Sequence, residues 1–100
     1  MPLLTVARTC DLAPGQGRVV HAGDAVLALF NFDGRFCALD NACPHQFGPL
    51  GEGCLVGDLV VCPWHGWKFS VETGRSPLNP AAKVKTYPVT IDGDEVKVEV

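Results

Sequence analysis

The sequence predicts an all-β fold, a small antiparallel sandwich carrying a loop-rich insertion, on three observations. Apolar and polar residues alternate with a period of two along much of the chain, and no segment sustains a helical period. Asp-Gly pairs sit between apolar runs at Asp33-Gly34 and Asp92-Gly93, where hairpin turns that favour positive φ are expected. The middle of the chain, from about Cys43 to Pro80, abandons the alternation and collects most of the prolines, as a set of loops would.

The elements follow in chain order. "LLTVAR" near the N-terminus and "RVVHA" before Gly23-Asp24 read as short strands. "AVLALFNF", Ala25 to Phe32, is too apolar for a half-exposed strand and too short for a helix, so it reads as a buried strand. Asp33-Gly34 turns it into "RFCALD", closing a hairpin. "LVGDLVV", Leu55 to Val61, reads as a returning strand. Near the C-terminus "KVKTYPVTI" and "EVKVEV" flank Asp92-Gly93-Asp94, a second hairpin with its charges on the wet face. No linker or repeat interrupts this order. One domain over 1–100 is expected, with a framework at about 1–40 and 81–100 and the insertion at about 41–80.

Composition limits what the chain can do. One hundred residues suffice for one modest core, burying roughly two-thirds of the unfolded surface. A net charge of -3 argues against nucleic acid or an anionic membrane as partner, since either calls for a basic face. No apolar run is long enough to span a bilayer or to act as a secretory leader, so the cytoplasm is the expected compartment. Five cysteines, an odd number, then read as thiols or metal ligands in preference to a disulfide framework.

Two short stretches concentrate the chemistry. "NACPHQFGPL" holds Cys43 and His45 with one residue between them; "CPWHGW" holds Cys62 and His65 with two between. Sixteen residues separate His45 from Cys62, so a hairpin could bring both tips to one site. Two thiolates and two imidazoles allow a tetrahedral zinc site. They equally allow a two-iron, two-sulfide cluster with the cysteines on one iron and the histidines on the other. Zinc fingers commonly draw both cysteines from one loop. Here each loop offers one sulfur and one nitrogen, which suits a cluster spanned by both loops.

Cys43-Pro44-His45 and Cys62-Pro63-Trp64-His65-Gly66 resemble the signature of Rieske iron–sulfur proteins, C-x-H followed by C-x-x-H. "KFSVETGRSPLNPA" resembles that family's strand, Thr-Gly turn and proline-containing covering loop, so the likeness spans essentially the whole chain. It implies a Rieske-like antiparallel β-sandwich with a cluster-binding subdomain, one [2Fe-2S] cluster, and Cys43, His45, Cys62 and His65 as its ligands. Respiratory members of the family carry a loop disulfide and hydroxyl donors to the cluster; the matching positions here are Gly48, Trp64, Trp67 and Phe69. Without those donors the potential is expected near the bottom of the Rieske range of about -150 to +300 mV. Gly66 is expected to let the backbone approach the cluster, with Trp64 and Trp67 shielding it.

No flavin or nicotinamide fingerprint and no second metal motif of two histidines and a carboxylate accompany the four ligands. The likeness therefore implies an electron carrier and not a catalyst. It would take electrons from a flavoprotein NAD(P)H reductase and pass them to a terminal oxygenase acting on an aromatic compound. The alternative is the small subunit of an NAD(P)H-dependent nitrite reductase. A structural zinc module is the reading from another class. Cys10, Cys37 and Cys54 are expected as small apolar fillers and His21 as a surface or turn histidine. Lys68, Arg75, Lys83 and Lys85 are expected as a solvated face, with part of a docking face as the alternative.

Overall fold

The computed structural model describes residues 3–42, 49–63, 66–77 and 82–100. Three antiparallel sheets are formed by β1 (Leu3–Arg8), β2 (Gly17–Ala22), β3 (Ala25–Phe32), β4 (Arg35–Asp40), β5 (Cys54–Val56), β6 (Leu59–Val61), β7 (Lys68–Ser70), β8 (Thr86–Tyr87), β9 (Val89–Asp92) and β10 (Glu95–Glu99). Their orders are β1-β10-β9, β2-β3-β4-β8 and β5-β6-β7. The only helical pieces among the described residues are two 3-10 turns, Thr9–Asp11 and Leu50–Glu52.

The sheet β2-β3-β4-β8 lies in the middle and is covered on both faces. Ala28, Phe30, Cys37 and Leu39 point one way, into a cluster with Leu50, Val60, Cys62, Phe69, Val71 and Val84. Their neighbours Leu27, Leu29 and Ala38 point the other way, onto Ala7, Val96 and Val98 of β1 and β10. Alternate side chains of a strand leave opposite faces, so burial on both sides requires an unbroken apolar run. This accounts for "AVLALFNF", whose central five residues are all buried.

The β3–β4 turn is set as the Asp-Gly signal predicts. Phe32 pairs with Arg35 across it, Asp33 has φ 52° and Gly34 φ 91°. Asn31 accepts the Gly34 N–H on its Oδ1 at 2.8 Å and donates from Nδ2 to the Leu12 carbonyl at 2.9 Å. Its buried amide is thereby satisfied at both ends.

Two segments differ from the sequence reading. Leu55 to Val61 is a tight hairpin and not one returning strand: Cys54 pairs with Val61 and Val56 with Leu59 around Gly57, whose φ is 61°. The Gly57-Asp58 pair supplies the turn that alternation alone does not reveal. "KVKTYPVTI" is likewise divided at Pro88, which lacks an N–H for a ladder. Before it β8 pairs with β4; after it β9 pairs with β10, so the chain crosses from the middle sheet to the outer one.

Tyr87, the single tyrosine, ties β8 to β4 by donating its hydroxyl to Asp40 Oδ1 at 2.6 Å. Burial first, then the hydrogen bond to Asp40 and its charge, push the phenol up to about 12. The folded value lies above the unfolded one of about 10, so this tie contributes fully below pH 10 and is lost as pH rises through about 12. Stability should therefore fall more steeply across that alkaline window in the native chain than in Tyr87→Phe, as read by denaturation midpoints at stepped pH. Phe30→Ala should cost about 3–5 kcal/mol of unfolding free energy; a loss below about 1 kcal/mol in a denaturant titration would contradict packing on both faces.

Candidate metal centre

The two stretches with Cys–His spacing leave the fold at points that are closed by hydrogen bonds. On the first, Asn41 ends the β4 excursion: its carbonyl accepts the Leu50 N–H at 2.8 Å and its Oδ1 accepts the Gly51 N–H at 2.8 Å. Ala42 and Pro49 form an antiparallel bridge beside these bonds. On the second, the Cys62 N–H donates to the Trp67 carbonyl at 2.7 Å, directly above the Val61–Lys68 pair of β6 and β7. Each stretch is pinched where it enters and leaves the body.

The two pinch points are held together by glycine. A Cβ on Gly53 would collide with the Val61 carbonyl oxygen, and one on Gly51 would lie 2.8 Å from the Val19 backbone nitrogen. The backbone after the first stretch therefore packs directly on the residue preceding Cys62. No side chain fits between them. Leu50, which follows that bridge, shares its apolar cluster with Cys62.

Of the four expected ligands, Cys62 is described and is 1% exposed, among Leu50, Val60 and Phe69. Cys43, His45 and His65 lie outside the described residues, as do Gly48 and Trp64. Gly66 is exposed with φ 71°, a left-handed conformation that favours glycine. Trp67 and Phe69 occupy the positions where respiratory Rieske proteins carry hydroxyls. Their rings stack at 6.4 Å between centroids, and Phe69 is wholly buried. An apolar wall thus stands beside Cys62 and keeps water from it.

The other cysteines divide by strand geometry. Cys37 is buried on β4 as expected of a filler; burial, then the Glu72 charge, push its thiol up, with Arg35 opposing. Cys54 corrects the expectation: it opens the edge strand β5 with its side chain facing solvent, so it fills nothing. Cys10 is also exposed, on the first 3-10 turn, and no disulfide joins the four described cysteines. His21 is exposed on β2, as read from the sequence. The sequence reading missed Asn41, Gly51 and Gly53. The signal for the glycines was their density, four between Gly48 and Gly57.

A buried thiol at one pinched base, with the second base fixed against it, fits a group bound by both stretches at once. Comparison with known proteins agrees. Residues 3–88 match the model of the Rieske [2Fe-2S] domain family. The chain is 35% identical to the ferredoxin component of biphenyl 2,3-dioxygenase from Rhodococcus jostii (strain RHA1), over 99% of this chain and 94% of that protein. A chain in the complex of reduced oxygenase and oxidized ferredoxin of carbazole 1,9a-dioxygenase superposes with a TM-score of 0.88 at 35% identity, covering 96% of this chain and 91% of that one. A candidate NADH-dependent nitrite reductase small subunit from Mycobacterium tuberculosis superposes with a TM-score of 0.90 at 25% identity, covering 97% and 93%. The chain belongs to the Rieske [2Fe-2S] domain family, and its place is that of a cluster-carrying electron-transfer component, not a catalytic enzyme.

Proposed function

We propose that this protein is a Rieske-type ferredoxin that receives electrons from an NAD(P)H-dependent flavoprotein reductase and delivers them to a terminal oxygenase acting on an aromatic compound. The observation that carries this reading is the near full-length match to a dioxygenase ferredoxin component. The carbazole 1,9a-dioxygenase complex, in which a similar chain sits with its oxygenase, supports the acceptor. The reductase is the complementary inference, because the chain carries no flavin or nicotinamide motif of its own. We assign it to the cytoplasm; no helix among the described residues is long and apolar enough to cross a membrane.

Cys43, His45, Cys62 and His65 are the proposed ligands, and the segment of about 41–80 the proposed cluster-binding part of the single domain. A Rieske cluster supplies one-electron transfer at a potential of about -150 to +300 mV. The chain's own residues set the conditions for it. The Cys62 N–H to Trp67 carbonyl bond holds the second stretch closed, Asn41 does the same for the first, and Phe69 and Trp67 exclude water. Family membership displaces the zinc alternative. The nitrite reductase reading keeps one supporting observation, the structural likeness to a candidate small subunit. Co-purification with a large sirohaem-containing chain would favour it.

The purified protein should be red-brown, with about two irons and two sulfides per chain. It should be reduced by NAD(P)H only when a flavoprotein reductase is added, and reoxidised by a terminal oxygenase. A colourless protein holding zinc alone would overturn the reading. Cys62→Ser and His65→Ala should abolish the visible absorption and lower stability, because metal binding is coupled to folding. Gly53→Ala should also reduce cluster loading, by forcing the Val61 backbone away, whereas Glu52→Ala, exposed next to it, should not. Trp67→Ser should raise the reduction potential, read by a redox titration, through the hydroxyl donor that position now lacks.

A further inference from the structure

Between the second ligand stretch and β8 the chain builds a two-stranded ribbon whose faces are sharply different. Arg75 and Lys83 form an antiparallel bridge, the Val84 N–H donates to the Gly74 carbonyl at 2.7 Å, and the Ser76 N–H donates to the Ala82 carbonyl at 3.1 Å. This register sets Thr73 opposite Lys85. Gly74, Ser76 and Val84 are buried, while Thr73, Arg75, Lys83 and Lys85 are exposed on the other face. With Thr86 and the edge of Val84 these four line an open hollow of about 390 Å³ whose lining includes no carboxylate residue.

The charge is segregated in sequence as well as in space. From Thr73 to Ile91 the chain has three cations, Arg75, Lys83 and Lys85, and no aspartate or glutamate, although the whole protein carries -3. Glu72, just before the ribbon, is engaged with Arg35 at 3.0 Å on another strand. Neither Arg75 nor Lys83 has an ion-pair partner among the described residues, and Lys85 places its Nζ 4.9 Å from the Tyr87 ring centroid. Like charges placed directly across a ribbon are destabilising, so the Arg75–Lys83 pairing opposes folding and not the reverse. The inner face, through Val84 and the partly buried Ala82, packs into the apolar cluster that buries Cys62.

We infer that this basic face is a docking surface for an acidic patch on the protein that exchanges electrons with this chain, an inference that rests on the electron-carrier reading above. Three cations without an ion-pair partner among the described residues, on an acidic molecule, present an oriented field to an acidic partner, raising encounter rate and fixing orientation. Asp58 is the carboxylate residue that shares a hollow with them, the neighbouring one that Thr73 and Arg75 also line. The ribbon's inner face shares the core that buries Cys62, so the basic face belongs to the same lobe as that proposed ligand. The hollow is open and the cations are spread along a ribbon, a surface for another protein's carboxylates, whereas a small anion is bound in an enclosing cradle.

Poly-L-glutamate is the probe, with the cluster-loaded full chain. The native protein should bind it at low ionic strength despite a net charge of -3, and more weakly at about 0.15 M salt. The triple variant R75Q/K83Q/K85Q should weaken binding about tenfold or more. In the same variant the second-order rate of electron transfer with the reductase or with the oxygenase should fall by a similar factor and lose its salt dependence, with visible absorption unchanged. K83E should weaken binding while raising Tm by about one to a few degrees, because it converts a repulsive cross-strand pair into an attractive one; a purely structural role would move both together. No binding by the native protein, or equal binding and equal rates in the triple variant, would overturn the inference. Tighter binding of inorganic pyrophosphate than of poly-L-glutamate, lost in the same variant, would overturn it in favour of a small-anion site. A native protein without iron would instead sink the electron-carrier reading, and the poly-L-glutamate result would still judge the surface.

Discussion

Burial of the middle sheet on both faces is the constraint from which the rest of this structure follows. β3 and β4 send Leu27, Leu29 and Ala38 to one side and Ala28, Phe30, Cys37 and Leu39 to the other. The outer sheet β1-β10-β9 covers the first side. The second is covered by β6, β7 and the segments around Leu50, Val71 and Val84, which are the same segments that carry and flank Cys62. In a chain of one hundred residues there is no surplus core, so the part proposed to bind the cluster also closes the fold.

This arrangement fixes the position of Cys62. Cys62 is not at the end of a long mobile loop. It follows β6 directly, its own N–H is tied across to Trp67, and Val61 before it is pressed by the backbone of Gly53. The proposed set of two thiolates and two imidazoles would have to be presented with little freedom, because each misplaced donor is a lost bond. Asn41 contributes from the first stretch with both its carbonyl and its side-chain oxygen.

Much of this was legible in the sequence, and the exceptions have physical causes. Strands Leu3–Arg8, Ala25–Phe32 and Arg35–Asp40 lie where alternation, apolar run and Asp-Gly signal put them, because each is longer than five residues and bounded by turn residues. The β5–β6 hairpin was hidden because three-residue strands are too short to establish a period, and its Gly57-Asp58 turn looked like an interruption. The break at Pro88 was readable in principle; what alternation could not say is that the strand changes sheets there. At the centre, cysteine and histidine spacing supplies the proposed donor set, while Gly51 and Gly53 act through backbone proximity, of which their density is the one trace in the sequence. The Cys54 reading failed because the residue opens an edge strand on its solvent side, and burial at a strand end depends on what lies opposite.

The brevity of the outer strands has an effect of its own. Every sheet edge is a row of unpaired amides that can recruit a second chain. Here β5 and β7 offer three residues each, β9 four, β8 ends after two at a proline, and β1 has its register broken between Thr5 and Ala7. The six-residue edge β2 is approached at Val19 by the backbone of Gly51. The short strands that frame the proposed centre thereby offer little template for edge-to-edge growth.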